Sequence, residues 1–261
     1  MNHRLQFIHI IGCMLILLLV AACSTSQPAP TPTLPARTST SVVKPAPSET
    51  AAESVIEWDY IAMGDSRTGH AQWPAAYADY LEAALGIKVN LYNRAGAGQD
   101  SSQLLSDLRE IEELRAQVRE AEVVTVWTGG IRSKSAITFK AVPCDDALDA
   151  MGTDLDDIIT EILALRAGND TLIRLFEDYH FQVEPQKELG FFQDKRACVQ
   201  GLIALVHQTG SKYGIPVVPV YEAFNGPDGD QDPNAYLQDK VHTNAIGDSI
   251  IADLLREMGY E

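Results

Sequence analysis

From about residue 55 onward, the chain alternates short continuous apolar runs with longer stretches whose apolar residues recur every three or four positions. The runs at 60–63, 89–92 and 123–127 are too short for helices, and the third has the β-branched content of a strand buried on both faces. Residues 171–175 and 216–220 read the same way. Between them, helical periodicity predicts helices over about 75–85 (closed by Gly86), 102–120, 155–166, a segment through Cys198 and Val206, and 245–258. Five strands alternating with helices predict an α/β fold whose parallel sheet is covered on both faces. In such sheets ligands sit beyond the carboxyl ends of the strands. Ser66 stands at such an end, and so do the segments that follow the second and third strands.

The first 54 residues follow a different pattern. Arg4 precedes an apolar stretch over 8–20 that is too short to span a bilayer comfortably, as in an export signal. The small residues Val20-Ala21-Ala22 before Cys23 resemble the lipobox of bacterial lipoproteins. That resemblance implies removal of 1–22, lipidation of Cys23 and an extracytoplasmic protein held to the bacterial membrane, the several chains of such an anchor binding firmly. An ordinary secretory signal with a chance cysteine is the alternative. Residues 23–54 are mostly Ser, Thr, Pro and Ala and cannot bury enough apolar surface to fold, so they are expected to form a disordered tether. Fully extended, roughly 30 such residues reach on the order of 90 Å. Residues 55–261 are long enough for one domain with a substantial core.

Charge and cysteines narrow the partners. Thirty-six acidic against 20 basic residues give a formal charge of -16, which argues against nucleic acid or anionic headgroups as partners of the domain. A monomer is expected. Cys13 would leave with the signal and Cys23 would carry lipid. Cys144 and Cys198 remain as an even pair in an oxidising compartment, which predicts a disulfide, two free thiols being the alternative. No Cys/His cluster has zinc spacing, so neither a metal nor another cofactor is expected. Asp228, Asp230 and Asp232 alternate as in a calcium loop, but Pro233 stands where such loops need glycine.

The candidate chemistry lies in two short segments. Gly64-Asp65-Ser66 ends the first strand, and Asp239-Lys240-Val241-His242 lies just before the last helix. A serine hydroxyl is a weak nucleophile until a base takes its proton, and an imidazole is a reliable base when a third group fixes its tautomer. A spacing of three positions from acid to base lets one loop carry both, so Asp239 can accept from His242 Nδ1–H while Nε2 faces Ser66. Read alone, Ser66 could be a helix N-cap and His242 a solvated loop residue.

With these residues in view, the domain resembles the SGNH (GDSL) hydrolase family of esterases, lipases and carbohydrate deacetylases. The resemblance implies a flavodoxin-like three-layer α/β/α sandwich with a five-stranded parallel sheet. The first block matches as Met63-Gly64-Asp65-Ser66, implying Ser66 as nucleophile and its N–H as one oxyanion donor. The second matches as Asn93-Arg94-Ala95-Gly96-Ala97-Gly98, implying the Gly98 amide as a further donor, with Gly96 the fallback. The last matches Asp239 and His242. The third block departs: where the family has Gly-x-Asn-Asp, this chain has Gly129-Gly130-Ile131-Arg132, and Ile131 cannot donate the hydrogen bond of the expected Asn. Loss of one oxyanion donor typically lowers turnover by ~10²–10³. Arg132, Ser133 or Ser135 could supply a substitute.

Two further motifs are set aside. Gly168-Asn169-Asp170 spells the missing block but enters the fourth strand at the wrong end of the sheet, and Gly247-Asp248-Ser249 repeats the nucleophile tripeptide inside the last helix. His180 and His207 read as ordinary partly buried histidines, while Arg174 and the stretch 176–180 are expected beside the pocket. The expected function is a membrane-tethered extracytoplasmic esterase or acyl hydrolase acting on lipid, short-chain or carbohydrate O-acyl esters, with acetyl transfer between sugars as a subsidiary option. The alternative is a catalytically weakened lipoprotein that binds glycan or lipid.

Overall fold

A computed structural model describes residues 55–128 and 144–260. Five parallel strands, β1 (Glu57–Gly64), β2 (Lys88–Asn93), β3 (Val123–Trp127), β4 (Leu172–Phe176) and β5 (Val217–Val218), form one sheet in the order β2-β1-β3-β4-β5. This is the flavodoxin-like order, in which the chain reverses direction across the sheet between β1 and β3 and leaves a crevice at their carboxyl ends. Side chains of a strand alternate between faces, so each strand feeds two cores. Ile61, Met63, Val124, Val126, Ile173 and Leu175 lie in one core. Tyr60, Ala62, Val123, Trp127, Phe176 and Val218 lie in the other.

Helices cover both faces. The first core is closed by α3 (Ser101–Glu110), α4 (Glu112–Glu120), α5 (Asp145–Leu165) and α7 (Phe192–Tyr213), which contribute Leu104, Leu108, Leu114, Val118, Ile158 and Leu202 among others. The second is closed by α2 (Trp73–Leu85), α8 (Val220–Asn225) and α9 (Ala245–Glu257). Two short helices, α1 (Ser66–Gly69) and α6 (Val183–Glu188), sit in connections. The three-layer sandwich expected from the strand–helix alternation is therefore the observed fold. No helix of the described residues is long and apolar enough to cross a membrane.

Several element boundaries differ from expectation, each for a local reason. The helix expected over 102–120 is two helices broken at Ile111, which is extended (φ -89°, ψ 101°) and exposed. At 100° per residue, an unbroken helix would turn Leu114 well away from the face carrying Leu104 and Leu108. The break resets the phase, and Leu114 and Val118 are buried. The strand expected over 216–220 is only two residues long, because Pro219 has no N–H for the ladder and the chain turns into α8 there. The helix expected over 155–166 begins ten residues earlier at Asp145, and Gly152 in its added amino-terminal part lies close against Leu205 of α7.

The cysteine expectation holds: Cys144 and Cys198 form a disulfide at a Cα separation of 5.9 Å, joining the start of α5 to α7. Closing a loop of 54 residues in the unfolded chain is worth about 4 kcal/mol in the chain-entropy treatment. Two of the remaining histidines have structural roles. His180 is fully buried, stacked on Phe192, with Nε2 2.6 Å from Gln186 Oε1, and burial pushes its pKa down. His207 Nε2 lies 2.7 Å from the Glu177 carboxylate. Asp232 caps the 3-10 turn Pro233–Tyr236 through Asn234 N–H and also accepts from Glu184 N–H.

Candidate active site

The site is built where β1 ends against β3. Gly64 pairs with Trp127 and has φ +141°; a Cβ there would lie 2.1 Å from the Trp127 carbonyl oxygen, so only glycine fits. The next residue, Asp65, donates its N–H to the same carbonyl at 3.3 Å and caps α1 by accepting from Arg67 N–H at 2.9 Å. Ser66 therefore occupies the first position of a helix directly beyond the strand, nearly buried. The first N–H groups of a helix have no partner within it, and among the described residues none accepts from Ser66 N–H.

The loop after β2 packs on this turn. Asn93 Nδ2 donates to the Thr68 carbonyl at 3.1 Å, and Asn93 Oδ1 accepts from Ala95 N–H at 3.2 Å. The two glycines of the loop differ in their hydrogen bonding. Gly96 N–H donates to the Gly64 carbonyl at 2.9 Å and is already committed to the loop. Gly98 has φ +79°, and among the described residues none accepts from its N–H.

The third segment brings the imidazole. His242 Nε2 lies 2.8 Å from Ser66 Oγ, and His242 Nδ1 lies 2.7 Å from Asp239 Oδ2. The other carboxylate oxygen of Asp239 accepts from the N–H groups of Val241 at 3.2 Å and His242 at 2.8 Å. Reaching both N–H groups bends the chain sharply, and Lys240 takes up the bend at φ +73°, where non-glycine residues are uncommon. Gln238 N–H donates to the His242 carbonyl at 2.9 Å and closes the base of the loop. Burial would raise the Asp239 pKa, but hydrogen bonds from the backbone and ring of His242, and from Val241 N–H, outweigh it and hold the carboxyl below its ordinary value. With Asp239 ionised, His242 Nδ1–H donates to it and Nε2 is left as the acceptor for the Ser66 hydroxyl. His70, at the end of α1, presents its ring 5.2 Å from that of His242.

Beneath Ser66 lies a charged cluster that the sequence gives no motif for. Arg67 is 1% exposed. Its guanidinium forks onto Asp65 at 3.0 and 2.9 Å, bonds Asp178 Oδ1, and lies 4.9 Å over the Trp127 ring. Burial would push its pKa down, but the charges of Asp178 and Asp65 outweigh this and hold it above its ordinary value. The neighbouring Tyr179 is buried in an aromatic cluster and donates its hydroxyl to the Val241 carbonyl. Asp248, in the repeated tripeptide set aside above, has a structural role: it accepts from Thr243 Oγ1 at 2.5 Å and from Gln72 N–H at 2.9 Å.

Two expectations need correction. Arg174 is not beside Ser66: it is a buried residue of β4 that bonds the Gly259 carbonyl and borders a cleft of about 580 Å³ at the amino ends of the strands. Asp178 and Tyr179 do lie near the site but underneath it, as ion-pair and packing residues. Gly168 and Asp170 stand at the amino end, as expected, Asp170 bordering that same cleft. Gly130, Ile131 and Arg132 of the divergent third block lie outside the described residues, as do Ser133, Ser135 and the proposed lipid site Cys23.

The family model for GDSL-like lipase/acylhydrolase matches residues 50–255 of this chain. No curated protein sequence matches it. Among solved structures, the lipase Lip_vut3 from a goat rumen metagenome superposes with a TM-score of 0.66 at 23% identity, over 78% of this chain and 98% of that one. The acetylxylan esterase Axe2 from Geobacillus stearothermophilus gives 0.60 at 20% identity, over 79% and 96%. A lipase/acylhydrolase from Enterococcus faecalis gives 0.56 at 16% identity, over 77% and 95%. At these identities the likeness is one of fold.

Asp239 gives the site a defined response to acid. Its folded-state pKa lies below the 3.8 of an unperturbed carboxyl, so the unfolded chain binds the proton first as pH falls. The stability its hydrogen bonds contribute is complete above about pH 4 and is lost as pH drops through the lowered value. In an NMR titration of ¹³C-labelled aspartates, the Asp239 carboxyl should titrate below 3.8 in the wild type. It should move toward that value in His242→Ala, which removes the ring donor; an Asp239 titrating above 3.8 in the wild type contradicts the assignment.

Proposed function

Because the chain belongs to the GDSL-like lipase/acylhydrolase family, we propose that it is a serine ester hydrolase working through Ser66, His242 and Asp239. One observation carries the reading: the hydrogen-bonded line Ser66 Oγ–His242 Nε2 at 2.8 Å and His242 Nδ1–Asp239 Oδ2 at 2.7 Å. His242 takes the Ser66 proton as Oγ attacks the ester carbonyl. The carbonyl oxygen becomes an oxyanion held by the N–H groups of Ser66 and Gly98. His242 then gives its proton to the departing alcohol, leaving an acyl-Ser66 ester. Water, deprotonated by the same imidazole, attacks that ester and releases the acid, and the proton returns to Ser66 Oγ. Asp239 stays ionised throughout and stabilises the imidazolium in each half-reaction.

The substrates are lipid, short-chain or carbohydrate O-acyl esters. The enzyme works outside the cytoplasm, held to the membrane through a lipidated Cys23 and the 23–54 tether. Ile131 stands where the third block has its donating Asn; unless Arg132, Ser133 or Ser135 substitutes, the oxyanion hole is poorer by one side-chain donor and turnover is lowered. The same residue favours a second reading, in which the domain binds glycan or lipid without turning it over. A pure binder has no need of a hydrogen-bonded Ser–His–Asp line, and that favours the hydrolase.

Three outcomes test this. Wild type should hydrolyse p-nitrophenyl acetate or butyrate and react with a fluorophosphonate probe, and Ser66→Ala should do neither; equal rates for the two proteins would remove Ser66 from the mechanism. Ile131→Asn should raise kcat by about ten- to a hundredfold if a donor is missing, and no change would point to a substitute donor. Cys23→Ser should move the protein from the membrane fraction to the soluble extracytoplasmic fraction in a bacterial host, whereas unchanged membrane partition would refute the anchor.

A further inference from the structure

The two reacting side chains stand on loops 176 residues apart in sequence, one after β1 and one before α9. Holding Oγ and Nε2 at hydrogen-bond distance requires something other than the reacting groups to fix one loop against the other. The Asp178-Tyr179 segment, just beyond β4, grips both sides, Asp178 bonding Arg67 and Tyr179 bonding the Val241 carbonyl. We propose that Tyr179 is a positioning residue for the Ser66–His242 pair, acting through the Val241 carbonyl; the inference rests on the hydrolase reading above.

The geometry is specific to one peptide. The peptide group between Val241 and His242 bears the His242 Cα, so its rotation swings the imidazole. Both of its polar groups are held: the N–H by Asp239 Oδ1 at 2.8 Å, the C=O by the Tyr179 hydroxyl. The Tyr179 ring has little freedom. It is stacked on Phe224 at a centroid distance of 4.8 Å and meets Trp127 and Phe181 edge-on at 5.9 and 6.5 Å. A phenol on a packed ring has only two side-chain torsions, so its oxygen is a fixed point. Tyr179 N–H is in turn bonded to Asp178 Oδ1 at 3.0 Å, and that carboxylate bonds Arg67, the residue after the nucleophile. A continuous path thus runs from the Ser66 turn through Arg67, Asp178 and Tyr179 to the peptide that aims His242. Tyr179 forms no hydrogen bond to the Ser66 hydroxyl or to the imidazole. Its contribution is to orientation, where small misplacements of a base cost rate rather than binding.

The test replaces the phenol oxygen and leaves the ring. In Tyr179→Phe, kcat for p-nitrophenyl acetate, expressed per site titrated with fluorophosphonate, should fall about tenfold while KM stays within about twofold. Normalising to titrated sites separates this from a loss of folded protein, which would lower the site count and leave kcat per site unchanged. A matched pair guards against packing effects: 4-aminophenylalanine at position 179 keeps a donor there, whereas 4-methylphenylalanine fills the same space without one. The donor variant should stay within about threefold of wild type and the methyl variant should fall about tenfold. Equal kcat per site in these two variants, or wild-type kcat per site in Tyr179→Phe, overturns the inference. Ser66→Ala is run alongside: if it retains full activity, the hydrolase assignment has failed, which is a separate result.

Discussion

The buried guanidinium of Arg67 is the constraint on which the rest of the site depends. A full charge in a dry interior is tolerated only when paired and hydrogen-bonded, and removing one partner of such a cluster typically costs about 3–5 kcal/mol. Arg67 meets the requirement with two carboxylates and an aromatic face, and each partner belongs to a different part of the fold. Asp65 caps the short helix that begins at Ser66, Asp178 lies beyond β4, and Trp127 ends β3. Satisfying one charge therefore draws the carboxyl ends of three neighbouring strands to a common point. The serine sits on that point.

The Ser66–His242–Asp239 line is comparatively exposed and lightly held. Asp239 is half exposed and His242 about one-fifth, and the Asp239–His242 loop leans on Lys240 in a strained conformation. Such loops carry function because a rigid scaffold presents them. Here the scaffold includes the Leu237–Thr243 bridge, the Asn244 cap of α9 and the Asp248 carboxylate, which ties the loop to Gln72 at the start of α2. In the proposed mechanism His242 exchanges protons with substrate and water, and its solvent access is compatible with that role, while Tyr179 of the aromatic cluster below bonds the Val241 carbonyl.

Much of this was legible before any coordinates. Short continuous apolar runs and period-3.6 patterns gave the five strands and the main helices, because burial on both faces of a parallel sheet leaves continuous apolar runs. What failed was local: the kink at Ile111, the two-residue β5, and the early start of α5, where packing phase or a single proline overrode the pattern. The meeting of Ser66, Asp239 and His242 was legible because the proposed chemistry needs particular residue types at short spacing. Arg67, Asp178, Tyr179 and Asp248 were not, since an arginine after a serine or a tyrosine after a strand has no fixed signature. Gly247-Asp248-Ser249 looked like coincidence in sequence and turned out to contain a carboxylate that links two elements.

The amino-acid sequence by itself determined the layered α/β architecture, the Gly64-Asp65-Ser66 turn and the Asp239–His242 loop, because these follow from periodicity and from residues close together along the chain. Only in three dimensions does the Gly64 carbonyl occupy the Gly96 amide and leave the Gly98 amide without an acceptor among the described residues. The place of Arg174 was decided there too, its charge facing the opposite end of the sheet from the position its sequence neighbourhood suggested. Contacts of this kind join residues tens to more than a hundred positions apart, and nothing in local propensity or spacing records which distant group will arrive. Burial and hydrogen-bond satisfaction make that selection, and they exist only once the chain has packed.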